Sequence, residues 1–244
     1  MANALQNIPA RTDLLCEGCG YVLKGLPPDA NCPECGKPIV QSLPELRNGP
    51  IWERPSAGLA GFLATTALVL FHPARFYRTL ATRRPRNRSR TFASVHWIIV
   101  SLLIGTCAYV HFAWSLDINT TASSLLRAPF AAILVLSALT FLLLDGITRI
   151  AARLTAWEAA YRGLRLPLPI VRRALDYHAA HYLPVAILTS ITIFGYRFLL
   201  YRHWVDALWA PTYLYVLCGE VVVAAAYLFQ TYWIGMRNMM YANG

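Results

Sequence analysis

The sequence predicts an all-α polytopic membrane protein, a helix bundle of four or five spans preceded by a small N-terminal four-cysteine knuckle. Three observations predict this fold class. Hydrophobic residues occupy 57% of the 244 positions and charged residues only 14%, whereas soluble domains carry about 25% charged residues. Several apolar stretches have the length of a membrane span. Two Cys-x-x-Cys pairs lie near the start of the chain.

Four regions are expected along the chain. They are a flexible leader over residues 1–12, a four-cysteine ribbon over 13–40, a linker over 41–56 and a membrane domain over 57–244. The leader begins MANALQNIPA, which has neither a basic n-region nor an apolar h-region, so we expect no cleaved signal peptide. The linker contains repeated prolines, which prevent a long helix.

The knuckle has the sequence CEGCGYVLKGLPPDANCPECG, in which the pairs Cys16/Cys19 and Cys32/Cys35 are separated by twelve residues. A glycine follows each pair and allows the chain to turn, so that backbone amides can face the thiolates. Four thiolates at this spacing predict a closed tetrahedral zinc site with no open position for catalysis. The alternatives are two disulfides or a pattern that arises by chance.

Iron is the second candidate for the metal. The runs Cys-Gly-Tyr and Cys-Pro-x-Cys-Gly resemble the knuckles of rubredoxin-like modules, which hold one iron for electron transfer. Sulfur ligation alone does not choose between the two metals. We favour zinc because no flavin, haem or diiron motif accompanies the knuckle.

Nucleic acid is not an expected partner of the ribbon. Residues 13–40 carry two lysines and four acidic residues, a net charge of −2. A surface that binds phosphate should instead be basic. A protein partner or a purely structural role is therefore favoured.

Four segments have the roughly 20 apolar residues that a spanning helix needs. They are 92–115, 129–147, 182–201 and 211–234. A fifth segment, AGLAGFLATTALVLF at 57–71, has only 15 residues before His72 and Pro73. Its length favours a re-entrant or interfacial helix, and a fifth span is the alternative.

The arginines indicate which loops face the cytoplasm. Residues 73–91 contain seven arginines and no acidic residue, and residues 148–181 contain six arginines. The loops 116–128 and 202–210 contain one arginine each. Arginine-rich loops stay in the cytoplasm, so four spans alternate without conflict. The ribbon then lies on the cytoplasmic side if 57–71 does not cross the membrane, and outside if it does.

Two charged residues fall well inside predicted spans. Glu220 lies near the middle of the last span, where an unpaired charge is costly and an acid is usually functional. Arg197, in the outer third of the third span, is its most suitable partner, and we hypothesise an intramembrane ion pair between them. A proton or ion site at Glu220 and a protonated, inert carboxyl are the alternatives. Nearer the inner boundary, Asp145 and Arg149 have the spacing of a structural i, i+4 pair.

Further polar groups occur at the predicted inner boundary. His178 and His181 could share a metal with Glu158 or Asp176, although a hydrogen-bonded histidine pair is favoured. An arginine run could also contact anionic lipid headgroups, at about 1 kcal/mol for each basic residue near the surface, and enforcement of topology is the alternative. The run comprises Arg83, Arg84, Arg86, Arg88 and Arg90.

The runs FHPARFYRTLATRRP and RRALDYHAAHYLPVAI make the membrane half, roughly residues 57–234, resemble the Yip family of small multi-spanning membrane proteins. The CGYVLKGLP and CPECG runs look like the zinc ribbons that precede membrane domains in many bacterial proteins. The resemblance implies a trafficking or membrane-organising adaptor. It also implies five spans, which would place 57–71 across the membrane and the ribbon outside.

These observations favour a non-enzymatic protein of the cytoplasmic membrane whose zinc ribbon recruits a protein partner at the cytoplasmic face. The sequence contains no Ser/His/Asp, HExxH or GxxxxGK[ST] arrangement that would indicate an enzyme. We expect contacts with the bilayer and its anionic lipids, and a second copy of the chain is a further candidate partner. The alternatives are a small transporter or channel that uses Glu220 and Arg197, and a membrane electron-transfer protein with an iron-bound knuckle.

Overall fold

The protein is described here from a computed structural model, which describes residues 13–81, 88–115, 128–164, 166–206 and 209–243. Within these ranges the regular structure is helical, and extended pairing is limited to two isolated bridges. The predicted all-α class is confirmed for these residues. The α-helices are α1 Leu59–Phe71, α2 Pro73–Thr79, α3 Ser89–Ser115, α4 Pro129–Tyr161, α5 Leu168–His178, α6 Tyr182–Tyr201 and α7 Ala210–Met239.

In the part of the chain that the structure describes, four helical segments are long and apolar enough to cross a membrane. Three of them contain a span predicted from the sequence, the first overlaps the predicted span 92–115 up to residue 113, and together they indicate an integral membrane protein. α5, a 3-10 turn at Ala179–His181 and α6 together form one of them. The segments are Ser89–Ala113, Pro129–Tyr161, Leu168–Tyr201 and Ala210–Met239.

α4 is longer than a membrane span. Its 33 residues extend over about 50 Å, whereas the hydrocarbon core of a bilayer is about 30 Å thick. The helix therefore continues well past the predicted span 129–147. Soon after its end, Gly163 has a φ of 70°, a left-handed conformation that glycine adopts without strain and that commonly follows a helix.

The segment 57–71 forms a half-length helix. α1 has 13 residues, a length of about 20 Å, and the axis of α2 turns away from it by 119°. The bend falls at His72 and Pro73, where proline begins α2 and its missing N–H costs no helical hydrogen bond. By length and composition alone, α1 and α2 together could form a fifth, broken span.

The linker has no long helix, as its prolines predict. It contains short 3-10 turns at Ile39–Ser42, Pro44–Leu46 and Ile51–Glu53. The backbone N–H of Gly49 donates to the carbonyl of Thr79 at 2.9 Å. The linker is therefore attached to the end of α2.

The chain divides into two compact units. The first contains Met1–Arg88, Ala151–Leu175 and Trp233–Gly244. Phe76, Tyr77 and Leu80, at the end of α2, are buried in it. This unit therefore brings residues near both ends of the chain together.

The second unit contains Ser89–Ile150 and Asp176–Tyr232. α3 packs mainly against α6 in this unit. Its buried clusters include one around Trp97 and one around Cys107 and Ile193. The residues of these two clusters lie in the predicted spans, except Ala179, which precedes the third span.

Candidate metal centre

The knuckle consists of two similar turns. An antiparallel bridge closes each turn, from Leu15 to Val22 in the first and from Asn31 to Pro38 in the second. In each turn the first cysteine donates its backbone N–H to a carbonyl five residues later, at 2.8 Å. The two Cys-x-x-Cys pairs are thus presented by matching backbone loops.

The glycines after the two pairs have the conformation that the sequence predicts. Gly20 has a φ of 81° and Gly36 a φ of 71°, a region that side chains with a Cβ rarely adopt. Gly20 has a second reason to be glycine, because an added Cβ would lie 2.6 Å from the ring of Tyr241. The C-terminal segment therefore packs directly on the knuckle.

The four thiols form one cluster. The Sγ atoms of Cys16 and Cys35 are 3.5 Å apart, those of Cys19 and Cys32 are 3.6 Å apart, and all four lie within 4.8 Å of one another. A tetrahedral centre with metal–sulfur bonds of about 2.3 Å holds its sulfur atoms about 3.8 Å apart. The cluster fits a metal ion with four sulfur ligands.

Disulfides do not fit this arrangement. A disulfide bond is about 2.0 Å long, and all four cysteines of the knuckle are free thiols. The alternative of two disulfides in the knuckle is therefore wrong. The geometry alone leaves both zinc and iron as candidates.

The knuckle has its own small apolar core. Cys16 and Cys32 are buried with Leu23 and Ile39, whereas Cys19 and Cys35 are exposed residues. One cysteine of each pair thus faces the inside of the module and the other faces its surface.

The thiols have different acidities when no cation balances them. Burial opposes ionisation of Cys16, but hydrogen bonds from the amides of Gly18 and Cys19 and from neighbouring thiols lower its pKa to about 7. Partial burial and the neighbouring thiols raise the pKa of Cys19 to about 12. Four thiolates this close repel one another, so a divalent cation is the group that would allow all four to ionise.

Arg47 holds the knuckle against the rest of its unit. Its guanidinium makes a bidentate pair with Glu17, at 2.7 and 2.9 Å. It also donates to the carbonyl oxygens of Tyr77 and Leu80, at 3.1 and 3.0 Å, and of Asn238, at 3.2 Å. The side chain is only 2% exposed. One linker arginine therefore joins the knuckle, the end of α2 and the end of α7.

Asn243 adds a second attachment. Its side-chain amide donates to the carbonyl oxygens of Leu15 and Ser42, both at 2.7 Å, and its side-chain oxygen accepts from the N–H of Leu15 at 2.9 Å. The residue is 5% exposed. The C-terminal segment is thus hydrogen-bonded to the first turn of the knuckle and to the linker residue Ser42.

No protein-family model, no curated protein and no solved structure matches this chain. The resemblance to the Yip family therefore stays a prediction. The site has to be interpreted from its own geometry.

The sequence does not predict these attachments. Arg47 and Asn243 belong to no spaced motif, and the partners of Arg47 are mostly backbone carbonyls, which sequence does not distinguish. The same is true of Arg173, which pairs with the fully buried carboxylate of Glu53 and donates to the carbonyl of Ala81 at 2.8 Å. The linker contains two acidic residues, Glu45 and Glu53, and nothing in the sequence shows which of them is buried.

His178 and His181 are both hydrogen-bonded, as favoured from the sequence, and each is bonded to a hydroxyl group of α7. Nε2 of His178 lies 3.0 Å from the hydroxyl of Thr231, and Nδ1 of His181 lies 2.8 Å from the hydroxyl of Tyr227. Among the described residues, the four cysteines form the only group of three or more ligand side chains close enough to hold a metal. The suggested metal site with Glu158 or Asp176 is therefore not formed.

Glu220 has a different partner from the one expected. It accepts a hydrogen bond from the hydroxyl of Thr192 on α6. Arg197 and Glu220 both lie in described segments, and they are not among the ion pairs found there. In the described residues the hydroxyl of Thr192, and not the guanidinium of Arg197, contacts the carboxylate of Glu220. The predicted pair of Asp145 and Arg149 is present, at 2.7 Å.

The arginine run is only partly described. Arg83, Arg84 and Arg86 lie outside the described residues. Arg88 lies over the ring of Trp52 at 5.4 Å. Arg90 pairs with Asp145 and lies 3.9 Å from Asp176, so protein carboxylates engage it and a lipid headgroup is not needed to balance its charge.

Proposed function

We propose that this chain is a non-enzymatic protein of the cytoplasmic membrane whose knuckle is a structural zinc ribbon that recruits a protein partner at the cytoplasmic face. The main support for this proposal is that the ribbon is held in a fixed position against the linker and the C-terminal segment. Arg47 and Asn243 hold one side of it, while Cys19 and Cys35 are exposed on another. A surface that is fixed in advance loses little conformational freedom when a partner binds.

Zinc in such a centre would have a structural role. Four cysteine ligands fill a tetrahedral shell and leave no position for water or substrate. The ribbon residues Cys16, Cys19, Cys32 and Cys35 would hold the ion. The exposed acids Asp29 and Glu34 favour a partner with a basic surface.

The contact between the ribbon and the C-terminal segment supports the proposed side of the membrane. Because the ribbon and the C-terminal segment are in contact, they lie on the same side of the membrane, and the chain between them crosses it an even number of times. Crossings by the four long helices meet this condition. A fifth crossing by α1 would not. The unit that contains the ribbon also contains Ala151–Leu175, from the arginine-rich region expected in the cytoplasm.

The proposal is tested with a photo-crosslinking amino acid placed at Glu34, an exposed ribbon residue, in living cells. We expect a discrete protein adduct, zinc as the bound metal of the purified protein, and loss of both in Cys32→Ser. The same crosslinker at Tyr215, which is 76% exposed on α7, should form a different set of adducts and serves as the control.

Two results would contradict the proposal. If Cys32→Ser removed the metal but left every Glu34 adduct unchanged, the ribbon would not recruit the partner. If the purified protein were red and contained stoichiometric iron, the electron-transfer alternative would replace a structural zinc site.

A further inference from the structure

An open cleft lies within the second unit, between α3, α6 and α7. Its volume is about 770 Å³, within the usual range for small-molecule sites. Most of its lining consists of aliphatic side chains, such as Ile104, Leu188 and Val221. A cleft of this kind suits a ligand with a large apolar body.

One acidic side chain interrupts this apolar lining. Glu220 lies ten residues from the start of α7, about 15 Å along its axis, which is half the thickness of a bilayer core. Oε1 accepts from Thr192, but the buried Oε2 has no hydrogen-bond partner among the residues that the structure describes. A carboxylate is costly to hold in such surroundings unless a donor or a cation is nearby.

The described lining of the cleft does not supply that cation. None of the described residues that line the cleft is lysine or arginine. The other titratable groups there are already engaged. Nδ1 of His111 is hydrogen-bonded to the hydroxyl of Tyr213 at 2.9 Å. The hydroxyl of Tyr227 is hydrogen-bonded to His181. The thiol of Cys107 donates to the hydroxyl of Ser190 at 3.3 Å. The lining therefore has a single carboxylate oxygen without a partner and no positive side chain to balance it.

We propose that this cleft is a binding site for a lipophilic organic cation. The apolar walls contact the body of the ligand, and the carboxylate of Glu220 contacts its positive centre. Coulomb attraction between them is strong because little water screens it at this depth. This site is separate from the ribbon and independent of its metal, so it goes beyond the proposed function.

The test uses the full-length protein in lipid nanodiscs and two probes of matched shape and opposite charge. Equilibrium dialysis measures binding of tetraphenylphosphonium, a cation, and tetraphenylborate, an anion, and empty nanodiscs correct for partitioning into lipid. We expect saturable one-to-one binding of the cation only. Glu220→Gln should weaken that binding about ten-fold or more, because the positive charge loses its counter-charge.

Two further variants keep the result interpretable. Ala224→Trp fills the cleft, which Ala224 lines, and leaves the carboxylate in place, so it should abolish saturable binding. Glu158→Gln removes an exposed acid paired with Arg162 outside the cleft and should leave binding unchanged. Each variant is compared at equal helical content and the same gel-filtration profile.

Several outcomes would overturn the site. Equal binding of the two probes would show that Glu220 does not select charge. Unchanged cation binding in Glu220→Gln or in Ala224→Trp would place the probe elsewhere. Co-purified phospholipid that tetraphenylphosphonium cannot displace would identify the cleft as a lipid site.

Discussion

At the residue scale, the attachment of the ribbon to the ends of α2 and α7 depends largely on the side chain of Arg47. Its guanidinium satisfies both oxygens of Glu17 and three backbone carbonyls. The ion pair is largely shielded from water, since the side chain of Arg47 is 2% exposed and that of Glu17 is 10% exposed. Removing one partner from a buried ion pair leaves an uncompensated charge and several unpaired acceptors.

We predict that Arg47→Ala lowers stability by about 3–5 kcal/mol, because Glu17 would stay buried without its counter-charge. Arg47→Lys should be intermediate, since lysine keeps the charge but cannot form the bidentate pair. Arg162→Ala is the matched control, because its pair with Glu158 is exposed at 64% and 47%, and should cost about 0–1 kcal/mol. Thermal unfolding in detergent, followed by tryptophan fluorescence, measures all three.

The comparison has a clear contrary result. Equal midpoints for Arg47→Ala and Arg162→Ala would mean that the network around Arg47 contributes nothing to stability. The attachment of the ribbon would then depend on Asn243 and on the packing of Tyr241.

At the scale of elements, the crossing of α3 and α4 depends on one glycine. A Cβ at Gly105 would lie 2.2 Å from Oγ of Ser137, 2.7 Å from its backbone N and 2.9 Å from its Cα. The first contact could be relieved by a rotamer change, but the other two involve backbone. Close approach of this kind is typical of small residues at contacts between membrane helices.

We predict that Gly105→Ala destabilises the protein by about 1–3 kcal/mol, the usual cost of overpacking. Adding Ser137→Ala should not restore stability, because the backbone contacts remain. Gly219→Ala is the control, since a Cβ there meets nothing within 4 Å, and it should cause no loss. Unfolding midpoints in detergent give the comparison, and a fully rescued double variant would contradict the backbone explanation.

The elements themselves could largely be predicted from sequence, and the contacts between them could not. Long apolar runs fix the existence of α3, α4, α6 and α7 because only a helix satisfies its backbone in lipid. The cysteine spacing likewise specifies the thiol cluster. In contrast, Glu220 pairs with Thr192 and not with Arg197, a choice that depends on how α6 and α7 are rotated. Periodicity does not determine that rotation.

At the scale of the whole molecule, α1 decides the topology, because its 13 residues are too few to cross a bilayer core and leave its crossing dependent on α2. We predict that a cysteine at Glu45, an exposed linker residue, reacts with a membrane-impermeant maleimide only after cells are permeabilised. Arg202→Cys, in the predicted outer loop, should react in intact cells, and the wild-type protein gives the background from native cysteines.

The contact of Asn243 with Leu15 and Ser42 requires the ribbon and the C-terminal segment to lie on the same side of the membrane. Labelling of Glu45→Cys from outside intact cells would therefore place both segments outside or make α1 and α2 a true fifth span, and either result would end the cytoplasmic assignment.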